Sequence, residues 1–351
     1  MGQLFEYKDI DRRFYEEKIA DHLPSSFIDI HTHVWLTKHN EGREDGGRTV
    51  TWPSLVAAEN PIEDLDETYR ILFPGKRVIP LIFSSFLSRS EKFSVGNGYI
   101  DTVAKTANYP ALLYGRPDWS SEVFEAELLK GTFCGTKVYL SLSDPSISRN
   151  NISIFDFLPH HQLAILNRYK KMVMLHVPRD KRIRDPLNVA QILTIAEKYP
   201  DVKVVIAHAG RAYCTEDIGN AFTELAKAPE LLFDISANTN CDVFIKLLEA
   251  VGPKRVLFGS DLPITRLRMK RICENGKYIN LVGKGTYGDV SADPNMREVS
   301  ANEAEKHTFF LYEEIAAVLN AASKCGLDKS DIESIFSSCS RTLLARCGYK
   351  Q

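Results

Sequence analysis

Residues 27–35 read FIDIHTHVW. A short β-rich apolar run, FIDI at residues 27–30, is followed at once by the triplet His-Thr-His. Side chains two residues apart point to the same side of an extended chain, so the imidazoles of His31 and His33 can reach one common point. The stretch therefore predicts a buried strand whose carboxyl end carries two metal-capable side chains.

Seven further apolar runs follow FIDI, separated by stretches that are long enough for a helix. They are residues 77–83 (RVIPLIF), 111–115 (ALLYG), 136–140 (TKVYL), 172–175 (MVML), 202–207 (VKVVIA), 231–235 (LLFDI) and 255–258 (RVLF). This alternation predicts parallel βα units, and roughly eight units predict an α/β protein with a (β/α)8 TIM barrel. An open doubly wound sheet matches the same alternation, but the polar residues at the strand ends favour the barrel.

The rest of the chain extends this barrel. We expect one domain over residues 1–351, with the barrel core at about residues 27–263 and C-terminal helices at about residues 301–346. A charged N-terminal extension precedes FIDI. Long loops are expected at residues 34–61, 84–99, 141–159 and 262–300, and long loops at the carboxyl ends of barrel strands usually shape an active site.

The overall composition excludes several classes of protein. The chain is 44% hydrophobic and 26% charged, with a formal net charge of −2, so nothing points to nucleic acid or to an anionic membrane as partner. The charged N-terminus lacks the apolar core of a signal peptide, which predicts a cytoplasmic protein. The seven cysteines are scattered without a CxxC pair, so we expect reduced thiols. We expect a small-molecule substrate, and the oligomeric state stays open.

Metal-capable side chains directly follow four of the predicted strands. His31 and His33 follow FIDI, His176 follows MVML, His208 follows VVIA, and Asp261 follows VLFGS. In a barrel these ends converge on one mouth, and neutral imidazoles with one carboxylate suit zinc or a similar divalent metal. A lone histidine after a strand is more often a structural residue, but this set favours a metal or catalytic site. Asp261 could also accept a proton from water, and His208 is either a second-site ligand or an acid/base.

The motifs FIDIHTHVW, MLHVP, VIAHAGRAY and RVLFGSDLP together resemble the amidohydrolase superfamily, specifically its amidohydrolase-2 branch. In that branch an HxH pair, two further histidines and an aspartate follow strands one, five, six and eight. The match spans residues 27–263. It implies a metal-dependent TIM-barrel enzyme, in a branch that includes hydrolases, lactonases and nonoxidative decarboxylases. The segment IESIFSSCSRTLL resembles the closing helix of the branch, although Cys339 stands where an asparagine is common.

Lys137 leaves the number of metals open. Its segment KVYL resembles the KLYP of dihydroorotases, whose lysine is carboxylated and bridges two metals. A carboxylated Lys137 would place His176 and His208 on a second ion. In the related decarboxylases the histidine after strand six is usually catalytic instead, which implies a single zinc on the other four ligands. The structural alternative is a buried or salt-bridged lysine within the strand.

The residues expected to contact substrate lie near predicted strand ends and include arginines that suit a carboxylate or another oxyanion. They are Arg116, Tyr139, Arg211 and Asn238. The leading prediction is a hydrolase that uses metal-activated water on an amide, lactone or ester of a small polar or anionic molecule. A zinc-dependent nonoxidative decarboxylase of an aromatic carboxylic acid is the alternative, and a metal-free binding barrel is the alternative from another class. Zn²⁺ is the expected ion, and Mn²⁺ also fits.

Overall fold

A computed structural model of the chain describes residues 4–39, 53–85 and 93–350. Eight parallel strands lie in sequential order: β1 (Ser26–His33), β2 (Arg77–Phe83), β3 (Ala111–Tyr114), β4 (Phe133–Val138), β5 (Met172–Leu175), β6 (Lys203–Ile206), β7 (Leu232–Asp234) and β8 (Val256–Leu257). The backbone N–H of Ile30 donates to the carbonyl of Phe258 (3.0 Å), and that of Asp261 donates to His31 (2.8 Å). These bonds bring the end of the sheet back to its start. The (β/α)8 TIM barrel is thereby confirmed over the open sheet.

The predicted strands agree well with the observed ones, and β2 and β5 have the predicted bounds. β1 runs three residues beyond FIDI, so both of its histidines belong to the strand itself. The pairing of β1 with β2 shifts register between Asp29 and Thr32. Such irregularities are frequent next to active sites because they re-aim side chains. Here the shift falls between Asp29 and Thr32, where the His-Thr-His triplet begins.

Helices separate the strands and cover the barrel. They are α1 (Asp9–Lys18), α2 (Pro53–Val56), α3 (Ile62–Leu72), α4 (Phe93–Ala107), α5 (Ser121–Lys130), α6 (His160–Arg168), α7 (Pro186–Lys198), α8 (Ala221–Ala226), α9 (Cys241–Val251), α10 (Ala301–Ala304), α11 (Phe310–Lys324), α12 (Lys329–Glu333) and α13 (Cys339–Arg346). A π-helical turn, Ser334–Ser338, joins α12 to α13 where the sequence predicts one continuous helix. Short 3-10 turns occur in the connections, including Leu140–Leu142, Arg182–Arg184 and Ile264–Arg266.

The helix α7 illustrates how the sequence sets these boundaries. The Asp185 side chain accepts a hydrogen bond from the backbone N–H of Leu187 (3.0 Å) and caps the first turn. Pro186 occupies the first helical position, where no N–H partner is needed. Ile192 and Ile195 are fully buried against the barrel. Cap and apolar face together fix where the helix begins and which side it buries.

The connection at residues 262–300 differs from the expected loop. It contains a three-stranded sheet in the order β11, β10, β9, formed by β9 (Lys270–Glu274), β10 (Lys277–Gly283) and β11 (Met296–Val299). Asn275 and Gly276 have φ values of 50° and 72° and form the tight turn between β9 and β10. An Asn-Gly pair of this kind is a strong hairpin signal because both turn residues need positive φ. The signal is present in the sequence, and the loop prediction was wrong.

The lower half of the barrel interior is apolar. The cluster there includes Ile28, Ile30, Leu81, Met172, Met174, Val205 and Leu257 together with Leu343 and Leu344 of α13. The C-terminal helix α13 therefore closes the bottom of the barrel. Among the described residues, no helix is long and apolar enough to cross a membrane.

The cysteine prediction is wrong for two of the seven residues. Cys214 and Cys273 form a disulfide with a Cα–Cα distance of 6.0 Å and a sequence separation of 59 residues. The bond ties the segment after β6 to β9. Their pairing depends on how the extra sheet packs over the barrel mouth, and spacing in the sequence does not reveal it. The free thiols are Cys134, Cys241, Cys325, Cys339 and Cys347.

Candidate metal centre

Side chains from both ends of the barrel sheet meet at its carboxyl edge. His33 Nε2 lies 3.1 Å from Asp261 Oδ1, and His31 Nε2 lies 3.5 Å from the same oxygen. One ligand atom each of His31, His208 and Asp261 lies within 4.8 Å of the others, and all three residues are buried. Three donors this close can hold a metal ion, and His33 touches the same carboxylate.

Asp234, at the end of β7, orients His31. Its Oδ2 lies 2.9 Å from His31 Nδ1, and both side chains are fully buried. Ser236 donates its hydroxyl to the other oxygen of Asp234, and its Oγ lies 2.9 Å from His208 Nδ1. A carboxylate on Nδ1 places the lone pair of His31 on Nε2, the nitrogen that faces Asp261. This role of Asp234 was not predicted from the sequence, although an acid inside the apolar run LLFDI was a signal.

The other two histidines at the centre are oriented by backbone carbonyls. His33 Nδ1 lies 3.2 Å from the carbonyl oxygen of Ser84, and His208 Nδ1 lies 3.1 Å from that of Ser236. An Nδ1–H that donates to a carbonyl leaves the lone pair on Nε2. The Nε2 atoms of three histidines are thus set up as ligands by hydrogen bonds on the opposite side of each ring.

The charges at the centre favour neutral histidines and an ionised aspartate. Burial lowers the pKa of His31 well below its ordinary value, and the nearby Lys137 lowers it further. Burial also lowers the pKa of His208. Burial by itself would raise the pKa of Asp261, but the hydrogen bond with His33 and the neighbouring histidines outweigh it and lower the pKa. Neutral imidazole and ionised carboxylate are the forms that bind a metal.

His176 lies beside this group, at the end of β5. Its ring centroid is 5.2 Å from that of His208, in an edge-on arrangement. Burial, and next the charge of Arg211, lower its pKa well below the ordinary value. Its Nδ1 is buried and has no hydrogen-bond partner among the described residues. A buried nitrogen without a hydrogen-bond partner destabilises a folded protein. A metal or a ligand at this mouth would supply a partner and therefore fits the residues present.

Lys137, in β4, points into the same space. Its Nζ lies 3.3 Å from His31 Nε2 and 4.9 Å from the centre of the Tyr139 ring. Burial lowers the pKa of this amine to about 8. Lys137 is fully buried, and no carboxylate of the described residues lies within 4.0 Å of its Nζ. The structural alternative therefore stands as a buried lysine and not as a salt-bridged one. The uncharged amine is the form that reacts with carbon dioxide, and carboxylation therefore remains chemically open.

The turn that presents His208 is left-handed over four residues. His208, Ala209, Gly210 and Arg211 have φ values of 56°, 48°, 70° and 62°. Left-handed backbone costs roughly 1–2 kcal/mol for each residue with a side chain. A Cβ on Gly210 would lie 2.7 Å from the side chain of Ile183, so only glycine fits there. Strain of this kind is concentrated at functional sites, where packing holds the backbone in place.

The four residues predicted to contact substrate fall in different places. Tyr139 OH lies 3.4 Å from His33 Nε2, inside the centre. Arg211 borders His176 and donates from Nη1 to the carbonyl oxygens of Val177 and Arg179 (3.2 Å each).

The remaining two are engaged with protein groups. Arg116 makes a two-bond contact with the carboxylate of Asp118 (2.8 and 2.6 Å). Asn238 is fully buried, and its amide donates to the carbonyl oxygen of Ala212 (2.8 Å), which braces the loops after β6 and β7. Arg116 and Asn238 therefore shape the walls in this structure, whereas Tyr139 and Arg211 line the mouth.

Comparison with known proteins places the chain in a family. The amidohydrolase family model matches residues 28–273, which include all the side chains of the centre. The chain therefore belongs to the amidohydrolase family, a family of enzymes. A sequence comparison with curated proteins finds no match.

Solved structures share the fold at low sequence identity. An amidohydrolase from Burkholderia multivorans with bound HEPES is 13% identical, with a TM-score of 0.58 over 91% of this chain and 99% of that one. The same amidohydrolase with bound zinc has a TM-score of 0.57, 13% identity and the same coverage of 91% and 99%. A 2,6-dihydroxybenzoate decarboxylase in complex with 2,6-dihydroxybenzoate is 12% identical, with a TM-score of 0.55 over 92% of this chain and 100% of that one.

Proposed function

We propose that the protein is a metal-dependent hydrolase that cleaves an amide, lactone or ester bond in a small polar or anionic molecule. The observation that carries this proposal is the cluster of donor atoms at the carboxyl edge of the barrel, where His31, His208 and Asp261 lie within 4.8 Å of one another. Hydrogen bonds to Nδ1 already orient the imidazoles of His31 and His208. Membership of the amidohydrolase family supports it.

In this proposal His31, His33, His176 and Asp261 hold one divalent metal, and Zn²⁺ is our choice of ion. Imidazole and carboxylate ligands suit zinc, and the similar amidohydrolase from Burkholderia multivorans contains bound zinc. Mn²⁺ is the second choice. A metal in such a site lowers the pKa of a water molecule from about 15.7 to about 7 and polarises a carbonyl group.

Two side chains of the protein, Asp261 and His208, are placed to transfer protons in this reaction. Asp261 is ionised, lies 3.1 Å from His33 Nε2, and is placed to accept a proton from water and to pass it to the leaving group. His208 has its Nδ1 engaged by Ser236, so its Nε2 faces the mouth as a proton acceptor. Once Nε2 has taken up a proton, His208 can stabilise or protonate a developing oxyanion. If Lys137 is carboxylated, His176 and His208 would instead hold a second metal.

Metal stoichiometry is the experiment that tests this proposal. The wild type and the variant Lys137→Ala are grown with supplemented zinc and analysed for elemental content. Lys171→Ala is the matched control, because that lysine donates to the carbonyls of Phe133 and Cys347 instead of facing the centre. About one zinc in all three proteins supports the mononuclear site. About two, falling only in Lys137→Ala, supports a carboxylated lysine.

A double variant, His31→Ala with His33→Ala, serves as the negative control. If the wild type holds no more metal than this variant, the proposed metal site is wrong. The metal-free binding barrel would then describe the protein better, because that alternative needs no metal to bind its ligand.

A decarboxylase with the same centre is the second candidate. It is supported by the similarity in fold to 2,6-dihydroxybenzoate decarboxylase. In that reaction His208 or Asp261, once it has taken up a proton, would deliver that proton to carbon as the bond to the carboxylate breaks and carbon dioxide leaves. The zinc-loaded protein is offered lactones and hydroxylated aromatic acids in parallel. Acid release from a lactone supports the hydrolase, whereas carbon dioxide release from an aromatic acid supports the decarboxylase.

A further inference from the structure

Next to the metal centre lies a group of three arginines with too few acids to neutralise them. Arg182, Arg211 and Arg271 are all partly exposed and surround Tyr213 and Tyr278. Arg182 forms a short ion pair with Asp217. Within the part of the chain that the structure describes, neither Arg211 nor Arg271 has a carboxylate within 4.0 Å. Two positive charges in this group are therefore left without a counterion.

The arginines are held in place by aromatic rings and by carbonyl groups. Arg182 Cζ lies 5.0 Å from the ring of Tyr213, and Arg271 Cζ lies 4.6 Å from the ring of Tyr278. Arg271 also donates to the Ala237 carbonyl (2.6 Å). Stacking on rings stabilises a guanidinium without cancelling its charge. The group is thus fixed in geometry while remaining positively charged.

Arg211 lies beside His176 at the edge of the metal centre. Only its Nη1 is engaged in the described structure, in two long bonds of 3.2 Å to carbonyl oxygens beside His176. Its Nε and Nη2 make no bond to a described residue, and neither atom is sealed from solvent. A guanidinium edge with two N–H groups side by side matches the two oxygens of a carboxylate. The same strained turn carries His208 at one end and Arg211 at the other.

The acids near this group do not offset its charge. Asp217 already accepts from Arg182 and from the backbone N–H groups of Tyr213 and Cys214 (3.1 and 3.0 Å). Glu314 is fully buried and already accepts a hydrogen bond from the backbone N–H of Ala237, and its burial raises its pKa well above the ordinary value, which favours the neutral form. Several positive charges at the rim of a cleft attract an anion.

We propose that Arg182, Arg211 and Arg271 form a subsite for a carboxylate group of the substrate, bound directly by the free edge of Arg211 and attracted by the other two. The inference rests on the proposed function, because it assigns the end of the substrate that does not react. It narrows the substrate to a carboxylic acid whose second functional group reaches the metal centre. The β9–β10 hairpin, which supplies Arg271 and Tyr278, is the part of the chain that completes this subsite.

The test compares benzoate with benzamide, two probes of the same shape that differ in charge. Binding is measured by calorimetry on zinc-loaded wild type, Arg211→Met and Arg271→Met. Arg184→Met is the matched control, since Arg184 belongs to the same 3-10 turn as Arg182 but is exposed. We expect Arg211→Met to weaken benzoate binding at least about tenfold and Arg271→Met about threefold, because a charged, two-bond contact is lost only in the first. Benzamide binding and zinc content should not change.

The variant Arg211→Lys keeps the test valid if Arg211→Met does not fold. It retains the charge but loses the forked edge, so intermediate benzoate affinity is expected. Equal benzoate affinity in Arg211→Met, Arg211→Lys and Arg184→Met would overturn the subsite, as would a wild type that binds the two probes equally. Absence of zinc from a wild type whose benzoate binding still depends on Arg211 would instead overturn the proposed enzyme and leave the subsite standing.

Discussion

The two halves of the barrel interior are built in opposite ways. The lower half is filled by apolar side chains such as Ile28, Leu81 and Met174, which pack against Leu344 of the last helix. The upper half buries His31, Lys137, Asp234 and Asp261 a short distance above them. One tightly packed interior thus changes from an apolar core to a cluster of ionisable groups. In TIM barrels the lower end serves stability and the upper end serves function.

The upper half also contains residues with left-handed backbone conformations. Asp261 has a φ of 61°, and the turn from His208 to Arg211 is left-handed throughout. Buried charges and left-handed residues both reduce stability. The apolar half must offset that loss, so changes to the two halves should have separable effects on metal binding and on folding.

The largest effect is expected from Asp261→Asn, which removes the carboxylate without changing its size. Zinc content should fall, and turnover of whichever substrate the wild type consumes should drop at least about 10³-fold, since a metal contributes several kcal/mol to catalysis. Asp201→Asn, at an exposed position away from the mouth, is the control. Full zinc content in Asp261→Asn would contradict the assignment.

The next largest effect concerns the lower half. Leu344→Ala leaves a cavity against the barrel floor and should lower the free energy of unfolding by about 3 kcal/mol. Zinc content per folded molecule should stay as in the wild type. Urea titration and elemental analysis measure the two quantities, with the exposed Leu129→Ala as control. Loss of zinc in step with stability would mean that the two halves are not separable.

A smaller effect is expected from Asp234→Asn, which touches no metal itself. Its Oδ2 lies 2.9 Å from His31 Nδ1 and fixes the orientation of that ring. Removing such a partner typically weakens metal affinity about 10- to 100-fold. Competition with a chelator of known affinity measures this loss. Unchanged zinc affinity would show that the strand, and not the carboxylate, orients His31.

The smallest effect is a change in how stability depends on pH. Burial raises the pKa of Glu314 above its ordinary value of 4.5, while its Oε2 accepts from the backbone N–H of Ala237. The folded protein then holds this proton more tightly than the unfolded chain does. The contribution of Glu314 to the free energy of unfolding is therefore fully present below pH 4.5. This contribution should decrease as the pH rises toward the higher pKa of the folded state.

The variant Glu314→Gln keeps an acceptor for Ala237 and cannot ionise. It should therefore lack the decrease in the free energy of unfolding that the wild type shows as the pH rises. Urea titrations at a series of pH values compare the two, with the exposed Glu305→Gln as control. Identical pH profiles for wild type and Glu314→Gln would show that Glu314 does not titrate in the folded state.

Much of the fold can be predicted from the sequence, because buried parallel strands appear as continuous apolar runs whose ends are marked by polar residues. β2 and β5 begin and end where the runs RVIPLIF and MVML do. The sheet at residues 270–299 was missed because its apolar character is weak and its strands β9 and β11 are largely exposed. Its Asn-Gly turn was the readable signal.

The candidate site divides in the same way. His31, His33, His176, His208 and Asp261 can be chosen from the sequence, because each directly follows an apolar run and the carboxyl ends of barrel strands converge. Asp234 was missed, since its role depends on a contact with His31 across 203 residues of chain. The sequence also offers no way to tell Arg116, which pairs with Asp118, from Arg211, which faces the mouth.

The sequence alone therefore determined the barrel and the residues available to a metal, since strand periodicity and strand ends are local properties of the chain. Three further features depend on the tertiary structure: the ring nitrogen that His31, His33 and His208 present to the centre, the positions of left-handed backbone, and the pairing of Cys214 with Cys273. The tertiary structure also brought Arg211 and Arg271 together around two tyrosines. These features arise from contacts between segments far apart in the chain, and packing, not local sequence, sets such contacts.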